Sequence, residues 1–148
     1  MRIAIGNDHR GCNLKETVLK VVIELGHEFR DFGCYTDDAI DYPDIAVQVA
    51  EGIVKGEYDR GILICGTGIG MCIAANKVRG IRAAQCYDVF TAHRARLHNN
   101  AQICCLAAEE GEGKVKVIVE DFLDTEFEGG RHQKRVDKIK EIEDKQCL

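Results

Sequence analysis

Apolar and polar positions alternate in blocks along the chain, and these blocks predict strands and helices in turn. Short apolar runs typical of strands lie at 2–6, 27–32, 61–65, 81–86 and 102–106. Apolar residues recur at helical spacing in the segments 12–25, 69–77, 88–98 and 113–123, and another helix begins at Pro43. This rhythm predicts one α/β domain over residues 1–148, with a doubly wound, Rossmann-like sheet of five parallel strands.

The last segment predicts a highly charged helix over 132–145. Val136, Ile139 and Ile142 recur every three residues along it and form a narrow apolar stripe. A stripe this narrow is typical of a helix that packs on another surface rather than one enclosed in a core. We therefore expect residues 132–148 to form a C-terminal helical arm that packs on a partner subunit.

Composition narrows the function classes. With 148 residues, 45% of them apolar and 30% charged, the chain has the composition of a soluble globular protein. Its net charge of -5 argues against a nucleic-acid partner, and no apolar run is long enough to cross a membrane. A strand begins at Arg2, so we expect no signal peptide.

Eight cysteines could indicate a disulfide scaffold, but none of them forms a C-x-x-C pair. Structural zinc and thioredoxin-like chemistry are therefore not expected. We expect free thiols in a reducing cytoplasm, with Cys147 as an incidental surface thiol.

The segment from Gly61 to Met71 has the most informative chemistry. A buried strand ends at Cys65, and Gly66, Gly68 and Gly70 follow at alternate positions directly before a helix. Backbone N–H groups at such a point suit a phosphate or an oxyanion, and they favour the cysteine as a thiolate. The alternative is a tight turn beside a buried, inert cysteine. The spacing matches neither the dinucleotide fingerprint nor a Walker loop.

Two further polar clusters are candidates for a site. Asp8 and His9 follow the first strand, which places them at the same edge of a parallel sheet as Cys65. A helix cap by Asp8 with His9 on the surface is the simpler interpretation. Arg131 and Arg135 share one side of the last helix and suit a phosphate, although a solvated basic face would look the same.

The pair His98-Asn99 closes a helix, where capping and the helix dipole explain both residues without any function. Taken together, however, the segments resemble the type B ribose-5-phosphate isomerase family, which includes the galactose-6-phosphate isomerase subunits. The similarity covers nearly the whole chain. It is carried, in this order, by Gly6-Asn7-Asp8-His9, Asp41-Tyr42-Pro43, Ile64 to Gly70, Ala74-Ala75-Asn76-Lys77, Gly80 to Ala84, His98-Asn99-Asn100-Ala101 and Gly129-Gly130-Arg131-His132-Gln133.

The resemblance implies an aldose–ketose isomerase that interconverts ribose 5-phosphate and ribulose 5-phosphate without a metal or an organic cofactor. Cys65 is then the base that moves a proton between C1 and C2 through a cis-enediolate. The enediolate oxygens are stabilised by Thr67 and by the loop amides, which belong to Gly66, Gly68, Ile69 and Gly70. The family also implies a homodimer or homotetramer whose site combines residues of two subunits.

The remaining site residues are implied in the same way. His98 would assist opening of the furanose ring, with Asp8 nearby. The substrate phosphate would be held by His9, Arg131 and Arg135, and Asn99 would bind a sugar hydroxyl.

One position departs from the family pattern. The family usually has Gly-x-Arg about eleven residues after the His-Asn pair, whereas this chain has Ala107-Ala108-Glu109. A carboxylate thus replaces a phosphate-binding guanidinium. This leaves another sugar open as substrate: a hexose 6-phosphate, such as allose or galactose 6-phosphate, or an unphosphorylated aldose. A catalytically silent sugar-phosphate-binding domain is a further alternative, and a redox role for Cys65 with Cys72 is weaker because nothing in their spacing brings them into contact.

Overall fold

The computed structural model describes residues 1–36 and 38–146, and it confirms the predicted fold class. Five strands are present: β1 Arg2–Asn7, β2 Glu28–Asp31, β3 Arg60–Cys65, β4 Ala83–Gln85 and β5 Ile103–Ala107. The helices are α1 Cys12–Glu24, α2 Tyr42–Val54, α3 Ile69–Ala75, α4 Val89–Leu97, α5 Glu112–Asp124 and α6 Arg131–Gln146. The predicted ends differ from these by one or two residues. Two single-turn 3-10 helices, His9–Gly11 and Ala108–Glu110, are additional to the prediction.

All five strands are parallel and lie in the order β2-β1-β3-β5-β4. The central strand β3 is therefore flanked by β1 and β5. Ile64 of β3 pairs with Asn7, and Cys65 pairs with Ala107. Because parallel strands end at the same edge, the segments that follow β1, β3 and β5 meet there.

The sheet separates two apolar layers, and β3 contributes to both because successive side chains of a strand point to opposite faces. Ile62 and Ile64 pack in the layer formed with α1, α4 and α5. Leu63 and Cys65 pack in the layer formed with α2 and α3. Burial on both faces explains why the strand is apolar throughout rather than alternating.

The apolar side of the C-terminal helix α6 is only partly buried against its own chain. Val136 is buried, and the backbone N–H of Gly80 donates to the Glu143 carboxylate at 3.2 Å. Ile139 and Ile142 remain 40% and 56% exposed and line a groove of about 560 Å³. The packing of residues 132–148 on a partner subunit stays a prediction, and its last two residues lie outside the described part of the chain.

Within the described part of the chain, none of the seven cysteines forms a disulfide. Cys147, expected to be a surface thiol, lies outside it. No helix of the described residues has the length and the apolar character needed to cross a membrane.

Candidate active site at the carboxyl edge of the sheet

Cys65 ends β3 and is almost completely buried, with 4% of its surface exposed. The backbone N–H of Gly68 donates to its sulfur at 3.2 Å. This N–H group lies at the start of α3, where helix amides lack partners within the helix. The Cys65 sulfur therefore accepts a hydrogen bond from an amide at the start of a helix.

Close packing holds the loop between Cys65 and α3 in place. Gly68 has a φ of 77°, and a Cβ atom on it would lie 3.0 Å from the carbonyl carbon of Leu106 in β5. A Cβ on Gly70 would lie 2.5 Å from Cζ of Tyr42, at the start of α2. A side chain at either position would therefore displace a neighbour, and at Gly68 it would also strain the backbone.

Thr67 is the exposed residue at the tip of this loop. Its hydroxyl oxygen accepts a hydrogen bond from the backbone N–H of Ile69 at 3.3 Å. Its carbonyl oxygen accepts one from Nε2 of Gln85 at 2.6 Å, which ties the loop to the end of β4. The loop thus presents a hydroxyl and several main-chain amides beside the Cys65 sulfur.

Asp8 and His9 lie next to this loop. The Asp8 N–H donates to the carbonyl oxygen of Ile64 at 3.1 Å, which joins the end of β1 to β3. Its carboxylate oxygen Oδ1 accepts from the N–H groups of Arg10 and Gly11 at 2.9 and 3.1 Å, so Asp8 does cap the first 3-10 turn. Nδ1 of His9 accepts from the backbone N–H of Ile40 at 3.4 Å, which leaves the proton on Nε2.

These residues line one open cleft of about 510 Å³. Its walls include seven of the predicted site residues, which are Asp8, His9, Cys65, Gly66, Thr67, Ile69 and Gly70. They also include Arg10, Tyr42 and Ile73, to which sequence reasoning assigned no role. In the sequence, Arg10 directly follows Asp8 and His9, and Tyr42 lies in the motif Asp41-Tyr42-Pro43. Both positions could therefore have been recognised as candidates for the site.

Gly68 belongs to the same loop, with its N–H on the Cys65 sulfur, although it does not line the cleft. The other four predicted site residues form a second group around His98, at the end of α4. The His98 ring stacks on the ring of His132, with 4.0 Å between centroids and 11° between planes. Arg94 donates from Nη1 to Nε2 of His98 at 2.8 Å. The Glu128 carboxylate lies 3.2 Å from Nε2 of His132 and 3.8 Å from Nε2 of His98. Sequence reasoning missed this stack because it joins two distant helices.

The surroundings of His98 favour its neutral form. Partial burial of the ring, followed by the neighbouring His132 and Arg94, lowers the pKa of His98 below its ordinary value of 6.5. The Glu128 carboxylate acts in the opposite direction but does not outweigh them. A neutral imidazole at neutral pH is able to accept a proton.

The cluster of His98, Glu128 and His132 brings three possible metal ligands within 4.8 Å of one another. A metal ion binds an imidazole in the plane of the ring. Because the two rings are stacked nearly parallel, no single ion lies in both planes. Arg94 and Arg131 also donate to the two Nε2 atoms, at 2.8 and 3.4 Å. The stacked rings and these two arginine donors do not fit a metal ion.

Asn99, Arg131 and Arg135 are exposed near this cluster. Asn99 lines the groove beneath α6, and its carbonyl oxygen accepts from Nε of Arg82 at 3.1 Å. None of the three lines the Cys65 cleft, nor does His98. In the part of the chain that the structure describes, a single subunit therefore holds the predicted site residues as two separate groups.

The fold and the cleft define a class of protein: a parallel α/β protein with a buried cysteine and a glycine-rich loop of main-chain amides in a cleft at the carboxyl edge of its sheet. The chain belongs to the ribose/galactose isomerase family, whose model matches residues 3–139.

The names of individual proteins that are similar to this chain agree with this family assignment. The chain is 47% identical to the ribose-5-P isomerase B of Listeria innocua, over 98% of this chain and 99% of that protein. It is also 47% identical to the D-erythrulose-4-phosphate isomerase of Pectobacterium atrosepticum, over 94% and 93% of the two chains. The solved structure of Clostridium thermocellum ribose-5-phosphate isomerase B superimposes with a TM-score of 0.96 at 48% identity, covering 99% of both chains. The protein is thus a sugar-phosphate isomerase.

Proposed function

We propose that the protein interconverts ribose 5-phosphate and ribulose 5-phosphate, with Cys65 as the base. The observation that carries this proposal is the hydrogen bond from the Gly68 N–H to the Cys65 sulfur at 3.2 Å, inside a cleft. This bond shows that a main-chain donor reaches the proposed base at the point where the loop amides lie. The names of the Listeria and Clostridium relatives support ribose 5-phosphate as the sugar.

The chemistry follows from this placement. The thiolate takes the proton from C2 of the open aldose, and the electron pair moves through C1 to the carbonyl oxygen, which gives a cis-enediolate. The proton on O2 then moves to O1, the carbonyl forms again at C2, and the Cys65 thiol returns its proton to C1, which gives the ketose. Thr67 and the amides of the loop from Gly66 to Gly70 stabilise the charge that develops on the oxygens.

We further propose that the two groups of site residues meet between subunits of a homodimer or homotetramer. His98 of one subunit would then open the furanose ring at the Cys65 cleft of its partner, with Asp8 nearby. His9, Arg131 and Arg135 would hold the phosphate, and Asn99 a sugar hydroxyl. The separation of the groups within one chain and the exposed Ile139 and Ile142 support this arrangement.

The proposed reaction needs no metal or organic cofactor, because a base and preorganised hydrogen-bond donors are enough for this proton transfer. Free thiols support a cytoplasmic location.

Glu109 favours a second candidate, an isomerase of another sugar. It lies on the 3-10 turn after β5, two residues beyond Ala107, which is paired with Cys65. A carboxylate at this edge repels a phosphate placed next to it. The equally similar Pectobacterium relative is named for a four-carbon sugar phosphate. Other sugar phosphates, including hexose 6-phosphates, and free aldoses therefore belong in the same test.

The test is an isomerase screen with the purified protein and its Cys65→Ala variant. We expect turnover of ribose 5-phosphate that exceeds turnover of erythrulose 4-phosphate, allose 6-phosphate, galactose 6-phosphate and free aldoses. Loss of the general base lowers kcat by on the order of 10²–10⁴. Cys72→Ala, a thiol on the neighbouring helix α3, serves as the matched control and keeps near-normal turnover.

Two results would contradict the proposal. Near-normal turnover by a folded Cys65→Ala variant would remove Cys65 as the base. A preference for another sugar, with the same dependence on Cys65, would keep the chemistry and replace the substrate.

A further inference from the structure

The side chain of Arg10 lies across the glycine loop of the candidate active site. A Cβ atom built on Gly66 would lie 2.9 Å from Nη1 and 3.0 Å from Cδ of Arg10. The guanidinium therefore rests directly against the residue that follows Cys65. Both Arg10 and Gly66 line the same cleft as the cysteine.

The backbone of Arg10 is held firmly against β3. Its N–H donates to the capping carboxylate of Asp8 at 2.9 Å. The next residue, Gly11, packs so closely that a Cβ on it would lie 2.7 Å from the carbonyl oxygen of Ile64. These contacts fix the backbone from which the Arg10 side chain extends, at the edge of the sheet.

The Arg10 guanidinium itself has no protein partner. Across residues 1–36 and 38–146 it makes no hydrogen bond and no ion pair. Arg10 is exposed, so its charge is hydrated and available to a ligand that enters the cleft. Its contact with Gly66 directs this free cation toward the loop.

The turn after β5 carries the negative charge of Glu109. The order β1-β3-β5 places the turn with Arg10 on one side of the Cys65 loop and the turn with Glu109 on the other. His9 lines the cleft on the Arg10 side. A dianion that binds beside this loop is attracted toward the end of β1 and repelled from the end of β5.

We propose that Arg10 is a further substrate-binding residue, which pairs with the phosphate of the sugar on the β1 side of the loop. It thereby selects phosphorylated over free sugars and supplies the cation that Glu109 does not. This inference rests on the proposed function of the same cleft. A guanidinium suits the role because its planar fork binds two phosphate oxygens at once, which a lysine ammonium does not match.

The experiment compares Arg10→Gln, Arg10→Lys and the control Arg30→Gln, whose arginine lies on the edge strand β2 and does not line the cleft. Loss of charge-assisted hydrogen bonds raises KM for ribose 5-phosphate on the order of 10- to 100-fold in Arg10→Gln. The variant Arg10→Lys recovers part of this loss. We expect kcat to change less than about threefold, because the contact is present in ground and transition states alike. Turnover of free aldoses by the Arg10 variants should be unchanged. The control Arg30→Gln should keep the wild-type KM and kcat for ribose 5-phosphate.

Calorimetric titration of the same variants with inorganic phosphate and with ribose 5-phosphate separates this inference from the proposed function. Wild-type protein that binds both ligands through Arg10 but isomerises no ribose 5-phosphate would overturn the proposed reaction and support the inference.

The inference is overturned if phosphate affinity is the same in wild type and Arg10→Gln, or absent in both. It is also overturned if the variant lowers kcat at constant KM, which would place the guanidinium on the enediolate. If Arg10→Gln melts at a lower temperature than the wild type, Arg10→Lys is tested in its place. The inference then requires that Arg10→Lys raises KM for phosphorylated sugars and leaves KM for free aldoses unchanged.

Discussion

Replacement of Gly68 by alanine tests how the packing of the loop supports its chemistry. Gly68 has a φ of 77°, and a Cβ on it would lie 3.0 and 3.1 Å from the carbonyl carbon and oxygen of Leu106. Gly26, after α1, has nearly the same φ of 76°, but nothing lies within 4 Å of a Cβ there. The variant Gly26→Ala therefore carries the conformational strain alone, and Gly68→Ala carries the strain and the contact.

The expected magnitudes follow from these two terms. A left-handed conformation destabilises an L-residue by about 1–2 kcal/mol, and restriction of the unfolded chain by alanine offsets about 0.4–1 kcal/mol of this. Gly26→Ala should thus lower the free energy of unfolding by about 1 kcal/mol. The backbone contact at Gly68 adds about 1–3 kcal/mol, as in other overpacked sites. For a chain of this size each kcal/mol lowers Tm by about 2–4 °C.

The two variants should also differ in activity. Relief of the contact with Leu106 moves the Gly68 N–H away from the Cys65 sulfur, to which it donates at 3.2 Å. We expect kcat on ribose 5-phosphate to fall on the order of 10²-fold in Gly68→Ala, as for the loss of one preorganised donor, and to stay unchanged in Gly26→Ala. Thermal unfolding at equal protein concentrations and steady-state kinetics measure both effects. Equal Tm and equal kcat in the two variants would refute the reasoning.

Three further predictions concern His98, the C-terminal helix and Glu109. Because burial, His132 and Arg94 lower the pKa of His98, the acid limb of kcat/KM should lie below pH 6.5 and should move upward when Arg94→Ala removes one of these causes; an unmoved limb would show that His98 does not determine it. Deletion of the residues after Arg135 removes the exposed apolar side chains above the groove and should weaken assembly and activity together; a fully active monomer by light scattering would contradict this. Glu109→Arg should lower KM for phosphorylated sugars with little change in kcat, whereas an equal effect on free sugars would place Glu109 outside the phosphate site.

The main elements of the fold were predictable because burial leaves a regular pattern in the sequence. The apolar run that ends at Cys65 is a strand buried on both faces, and the structure contains it as β3. Three-residue 3-10 turns have no such periodicity, so both of them escaped prediction. These two turns carry Arg10 and Glu109, which set the charge on either side of the loop.

The site was predictable only for residues that directly follow the ends of predicted parallel strands. Asp8 and His9 were expected beside Cys65 because parallel strands end at one edge, and the three residues do line one cleft. The stack of His98 on His132 joins the end of α4 to the start of α6, and no local pattern indicates that these two ends meet. Their position relative to the Cys65 cleft depends on tertiary and subunit packing.

The charges around the cleft connect the choice of sugar to the position of its phosphate. The proposed base Cys65 and the loop amides lie at the end of β3, so in the proposed reaction they define where C1 and C2 of the sugar lie. Arg10 and Glu109 then bias the phosphate toward the β1 side of that point. Because a sugar phosphate has a set distance between C2 and its phosphorus, moving the anion site changes which chain length places C2 at Cys65. The substrate screen and the Arg10 variants therefore examine one geometric property, the separation between the base and the cation that holds the phosphate.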